Sequence, residues 1–98
     1  MSKTTTRTIT QEFEERELKF EGRTVFCWFT AKAHITTEIE GDGYEYEITS
    51  ESKIDWVDVW DCEFAESLEH ANEGEYSDAT PQMIKALERD LEVDEFRF

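Results

Sequence analysis

The sequence predicts an α+β domain, an antiparallel sheet of about four strands packed on one face by one or two C-terminal helices. Three observations predict it. Apolar and polar residues alternate around Leu18 and Phe20 and again over 35–48, the period of a half-buried strand. Residues 54–61 are rich in Trp and Val, which favour strands. Near the C-terminus, Thr80-Pro81 opens a stretch in which Met83, Ile84, Leu87 and Leu91 recur at helical spacing. The 98 residues make one domain by length, and no Gly/Ser- or Pro-rich linker divides them. Aromatic residues reach 13 %, too many for a chain meant to stay disordered despite its charge. A single compact acidic domain over 1–98 is therefore expected.

Residues 1–11 are Thr-rich and free of acids, either a flexible arm or the start of an edge strand. Leu18 and Phe20 alternate with Glu17, Lys19 and Glu21, a half-buried strand that leads into a turn at Glu21-Gly22-Arg23. Val25-Phe26-Cys27-Trp28-Phe29 is continuously apolar and reads as a central strand covered on both faces. Ile35, Thr37 and Ile39 alternate with polar neighbours, as do Tyr44, Tyr46 and Ile48 after Gly41-Asp42-Gly43. Asp-Gly between two alternating runs predicts a type I′ hairpin, since Gly tolerates the positive φ that turn requires. That register pairs Ile39 with Tyr46, Glu40 with Glu45 and Glu38 with Glu47, placing all four glutamates on one side.

From Ile54 the sequence supports two readings. Its composition favours a strand, whereas Ile54, Val57, Asp61, Phe64, Leu68 and Ala71 step by three and four, as on a helix. The preferred reading is a strand through about Trp60 and then a helix from about Cys62 to Asn72, capped by Asp61. Residues 73–79 read as a loop. The last helix is marked by Thr80 as N-cap and Pro81 as first helical residue. Phe96 and Phe98 are expected to fold back onto the sheet.

Charge is distributed unevenly along this framework. Residues 38–78 hold fifteen carboxylates and one cation, Lys53, whereas residues 1–37 are nearly balanced; the total is -15. A field that one-sided repels nucleic acid and anionic membranes and attracts basic protein surfaces. The ten cations are scattered and make no basic patch, so direct nucleic-acid binding is not expected. No apolar run of about eighteen residues is present to span a membrane. The first residues lack the apolar core of a signal peptide, so a cytoplasmic location is expected. Cys27 and Cys62 have no metal-ligand spacing and read as two reduced, mostly buried thiols.

Enzymatic chemistry finds little support. Carboxylates are so abundant that no pair is singled out as acid and base. His34 and His70 lack a neighbouring nucleophile motif, and no Gly-rich loop is built to cradle phosphate. Asp55, Asp58, Asp61 and Glu63 have the oxygen chemistry that Ca²⁺ and Mg²⁺ prefer. The alternating EF-hand pattern is absent, however, and on a strand Asp58 points away from Asp55 and Asp61. The chain is read as a non-enzyme without metal or cofactor.

The acidic surface then becomes the candidate functional surface. Alternate residues on one face of a strand lie about 6.5–7 Å apart, close enough to imitate rows of phosphates. Glu38, Glu40, Glu45 and Glu47 form a two-row plate, which Asp55, Asp58, Asp61, Glu63, Glu66 and Glu69 extend. Like charges opposite one another cost a few tenths to about 1 kcal/mol per pair. Solubility asks for a net charge of only about 2–8 in a small domain, so the excess points to a binding role. Uniform halophilic acidity fits less well, because residues 1–37 are balanced. Trp56 and Trp60 sit among these acids. Core packing is their ordinary reading, and exposure as interface anchors is the alternative.

In type, though in no specific motif, this profile is similar to the DNA-mimic inhibitors that phages and mobile elements use against host defences, anti-restriction and anti-CRISPR proteins among them. The resemblance implies a small phage-encoded inhibitor that occupies the basic DNA- or RNA-binding groove of a restriction nuclease, CRISPR complex or transcription factor. The competing reading is an acidic interaction or assembly domain whose charge serves solubility or docking to a basic partner. Monomer and dimer are both compatible with the sequence.

Overall fold

The computed structural model describes residues 2–41 and 49–97. They form an antiparallel four-stranded sheet and two short helices, broadly an α+β arrangement. Strand β1 spans Ser2–Phe20, β2 Arg23–Glu40, β3 Thr49–Ala65 and β4 Ser77–Asp78, lying side by side in sequence order. Helix α1 (Leu68–Asn72) separates β3 from β4, and α2 (Pro81–Asp90) follows β4. A single 3-10 turn, Val93–Glu95, precedes the C-terminus.

The first three strands are far longer than the five or six residues usual in globular domains. The molecule is elongated in consequence, 56 × 22 × 21 Å with a radius of gyration of 17.0 Å, against about 13 Å for a compact chain of this length. Residues 2–11 belong to β1, paired without interruption from Ser2 opposite Glu40 to Phe13 opposite Phe29. Phe20 pairs with Arg23, which leaves Glu21-Gly22 as a two-residue loop, with φ of 50° and 78°. Two positive φ values are the signature of a type I′ turn, whose twist matches that of the flanking strands.

Strand β2 is central, but only one of its faces is covered. Val25, Cys27, Phe29, Ala31, Ala33 and Ile35 are buried, whereas Phe26 and Trp28 between them are half-buried. The buried face meets Met83, Leu87 and Leu91 of the C-terminal helix region. Ala31 and Ala33 carry small side chains where the helix side chains pack, and both are fully buried. Phe13 stacks on Phe29 with centroids 4.8 Å apart, and Phe96 returns to meet Phe13 edge-on at 5.4 Å. Each fully buried side chain of this kind contributes about 1.5–3 kcal/mol.

Two expectations are corrected in β3. The strand continues to Ala65, and the helix after it begins at Leu68 with Ser67 as N-cap: the Ser67 hydroxyl accepts from the backbone N–H of His70. Asp61 caps nothing; it lies inside the strand with φ 51°. The cause is a pair of one-residue bulges. The register slips at Asp55, between His34–Trp56 and Ile35–Ile54, and again between Trp28–Glu63 and Thr30–Trp60. Each extra residue lengthens an apolar step from two to three, so Ile54, Val57, Val59 and Cys62 all reach the covered face and the spacing imitates a helix.

The second correction concerns the hairpin register. Ile39 pairs with Ser50, Glu40 with Thr49 and Glu38 with Glu51, not with Tyr46, Glu45 and Glu47. The Asp42-Gly43 turn itself, with Glu45 and Glu47, falls outside the described residues. At the other end of the chain the Thr80 hydroxyl caps α2 by accepting from the Met83 N–H, with Pro81 in the first turn, as the sequence predicts.

Candidate functional site

The face of the sheet turned away from α2 is open. Its side chains follow from register: Thr4, Thr6, Thr8, Thr10 and Glu12 on β1 lie opposite Glu38, Thr36, His34, Lys32 and Thr30 on β2. Those in turn lie opposite Glu51, Lys53, Trp56, Asp58 and Trp60 on β3. The result is a threonine border, a central row of mixed polarity and an outer row of acids and tryptophans.

Trp56 and Trp60 are 43 % and 38 % exposed, so the core reading of both is overturned. The strand explains why: with no bulge between them, Trp56, Asp58 and Trp60 must share one face. Trp56 stacks on the His34 ring, with centroids 5.7 Å apart and planes 17° from parallel. On the same face, Trp28 packs edge-on against Tyr76 at 5.0 Å, which ties the loop before β4 to the sheet.

Asp55 is fixed by its bulge. Its Oδ2 accepts from the Thr36 hydroxyl at 2.5 Å and from His34 Nδ1 at 2.7 Å. The Thr36 hydrogen bond and then the His34 hydrogen bond hold the Asp55 carboxyl below the usual carboxylate range. Because Thr36 and His34 lie on the open face, Asp55 shares that face with Asp58, whose neighbour across the strands is Lys32. The expectation that Asp58 points away from Asp55 is therefore corrected, again by the bulge.

The remaining acids divide into two groups. Glu38 and Glu40 sit at the far end of the open face, where Glu38 and Glu51 lie opposite each other and a shallow hollow is lined by Glu38, Glu40, Thr49, Ser50 and Glu51. Asp61, Glu63, Glu66 and Glu69 are exposed at the opposite end, around the β3–α1 junction. Glu63 lies opposite Asp78 of β4, and Glu66 pairs with Arg23 at 2.6 Å. From Glu51 to Glu66 the acids follow β3 for about 40 Å at the rise of an extended strand, the two bulges adding residues without length. Of the predicted residues, the structure thus aligns Glu38, Glu40, Asp55, Trp56, Asp58, Trp60 and Glu63 on one face. It does not gather them into one compact plate.

Sequence reasoning missed Glu51 and His34 as members of this face. Period-2 alternation alone would have marked His34 beside Thr36 and Glu38, but nothing local reveals which β3 residue lies across from them. Among the described residues no three His, Cys, Asp or Glu side chains are grouped to hold a metal ion. Cys27 and Cys62 are buried and free; the Cys62 thiol is pushed up by its hydrogen bond to Cys27 and by burial. No described helix is long and apolar enough to cross a membrane. Comparison with protein-family models, with curated proteins and with solved structures finds no match to this chain.

Proposed function

We propose that this chain is a protein inhibitor that occupies the basic nucleic-acid-binding groove of another protein, presenting carboxylates where that groove expects phosphates. One observation carries the reading: a row of acids runs the length of β3 on an elongated body, with Trp56 and Trp60 exposed in its middle. The long axis of 56 Å and cross-section of 22 × 21 Å suit a groove made for a duplex or a heteroduplex. Acids would steer the encounter, and the two indoles would supply the desolvated anchor that charge alone lacks. Arg side chains of such a groove have complementary chemistry twice over, since they pair with carboxylates and stack on Trp. A host defence nuclease or CRISPR complex in the cytoplasm, met by a phage-encoded inhibitor, is the target class this reading names.

A second reading keeps the surface and drops the mimicry. The open face is not purely acidic, because Lys32, Lys53 and six threonines share it. Such a face also fits a docking domain for a basic protein that never meets nucleic acid.

The test is a pull-down from host lysate at low salt, eluted with competing duplex DNA or RNA and read by mass spectrometry. Mimicry requires one nucleic-acid-binding protein or complex, released by the competitor and by rising salt. A specific basic partner that is indifferent to nucleic acid supports the second reading. Glu51→Lys with Asp58→Lys is expected to abolish capture under either reading, and capture that survives removes the open face from both.

A further inference from the structure

We propose that the free edge of β1, Ser2–Thr10, is a self-association edge, pairing antiparallel with the same strand of a second copy to join two sheets into one. The proposal does not depend on the inhibitor reading. It rests on how differently the edges of this sheet are protected.

An edge strand offers unpaired N–H and C=O groups to any passing strand, and folded proteins protect such edges with bulges, charges, prolines or cover. The β3 edge is interrupted or covered from Asp55 onward, and its first residues carry the charges Glu51 and Lys53. Bulges interrupt it at Asp55 and next to Asp61. The Val59 N–H, pointing away from β2, is taken by the Glu88 carboxylate of α2 at 3.0 Å. Glu63 and Phe64 are paired with β4. The half of β1 nearest its turn is protected as well, by a bulge between Phe13 and Arg16 and by Glu12, Glu14, Glu15 and Glu17.

Ser2–Thr10 has no bulge, proline or cover, and its only charges are Lys3 and Arg7. It contains no acid, Pro or Gly, its register with β2 is unbroken, and five of its nine residues are Thr, a strand former. Among the described residues, nothing pairs with its outer side.

Charge and symmetry select a second copy as the occupant. In a chain of net charge -15, this is the one long stretch of edge with cations and no acids, so two copies meet here without opposing carboxylates. A two-fold antiparallel pairing centred on Thr6 sets Lys3 opposite Ile9, Thr4 opposite Thr8 and Arg7 opposite Thr5, with no like charges facing each other. Thr–Thr neighbours across strands are themselves favourable. Pairing of a strand with itself closes after two copies, whereas β1 joined to β3 would build an open filament. The bulges and Glu88 block that alternative from Asp55 onward, which leaves β3 only the short stretch Thr49–Ile54 as an uninterrupted edge. The dimer carries two open faces on one continuous sheet, with the two β3 strands about 24 Å apart at the usual strand spacing.

The experiment uses the full chain. Sedimentation velocity across the micromolar range is expected to show a monomer–dimer equilibrium. Thr4→Lys/Thr6→Lys/Thr8→Lys is expected to weaken it by about tenfold or more, through cross-strand repulsion. A cysteine scan over Thr4–Thr8 under mild oxidation tests the geometry without depending on that variant's fold, since Cys27 and Cys62 are buried. Cross-linking is expected to peak at one position or two adjacent ones near Thr6 and to fall away on both sides. A chain that stays monomeric across the range, a dimer unaffected by the three lysines, or cross-linking without such a peak would overturn the proposal.

Discussion

Nδ1 of His34 lies 2.7 Å from Oδ2 of Asp55, and the same His34 ring carries Trp56 stacked on its face. One bulge thus fixes an acid, an imidazole and an exposed indole relative to one another, at the middle of the open face. An extra residue in a strand usually re-aims its neighbours, and here it turns Asp55 toward the side on which Trp56 is displayed.

The first prediction concerns this group. Thr36→Val is expected to raise the Asp55 carboxyl toward its ordinary value, read by carbon-detected NMR titration. Because Asp55 is held below the usual range, its contribution to stability is present above about pH 4 and is lost as pH falls through the lower folded value. Asp55→Ala is expected to shift the Trp56 indole N–H resonance and leave that of Trp28 in place. An unmoved Trp56 would mean that the stack stands without the bulge contact.

Glu38 and Glu51 oppose each other across β2 and β3. Glu51→Lys is expected to stabilise the fold by a few tenths to about 1 kcal/mol, by replacing repulsion with attraction. Urea denaturation reads the stability, and capture of the basic partner reads the binding. Under the proposed function the same change lowers capture, so stability and binding move in opposite directions.

Glu21 sits at φ 50° in the turn between β1 and β2, a conformation that costs a side chain other than Gly, Asn or Asp. Glu21→Asn restores the Asn-Gly pair that type I′ turns prefer and is expected to add about 0.5–1 kcal/mol. Thermal unfolding checks it, with a higher midpoint expected.

Arg16 fastens the C-terminus. Its guanidinium reaches Glu95 at 2.6 Å and Asp90 at 2.7 Å and donates to the Glu17 carbonyl. The hydrogen bond to Glu95 is the main cause holding Arg16 firmly protonated. Burial pushes the Glu95 carboxyl up, but hydrogen bonds from Arg16 and from the Glu92 N–H outweigh it and leave the group below its usual range. Arg16→Gln is expected to cost about 1–2 kcal/mol once solvent screening of this half-open cluster is allowed for. The acid limb of the stability profile is expected to flatten, since stability that Glu95 contributes above its unfolded pKa and loses as pH falls through the depressed folded value disappears with its partner. Urea melts from neutral to acid pH measure both effects.

The elements whose signals are local were legible in the sequence. Thr80 and Pro81 mark the start of α2 by capping chemistry, Glu21-Gly22 marks a turn, and the buried set Met83, Leu87 and Leu91 follows from helical spacing. What escaped depends on pairing. Bulges at Asp55 and Asp61 are invisible until β2 is laid beside β3, and they made a strand resemble a helix through Phe64. Register likewise decides that Glu38 meets Glu51. Trp56 and Trp60 looked like core because indoles usually are, but the fold has one helical layer, and β3 gives that layer Val57 and Val59 instead. The acidic field was legible in full; its arrangement along a single strand was not.

The covered face ends before the strands do. Ile35 is the last fully buried residue of β2 on its way to Glu40, and α2 and the C-terminal turn pack against the opposite end of the sheet. Among the described residues, β1, β2 and β3 continue beyond that point as a three-stranded ribbon without helical cover, held by backbone pairing and small contacts such as Thr37 to Ser52. Such a ribbon can open without disturbing the core, so amide exchange should accelerate steadily from Ala31 toward Glu40. On that expectation the protein works as a rigid handle with a compliant blade, which bends to the contour it meets while the handle stays folded.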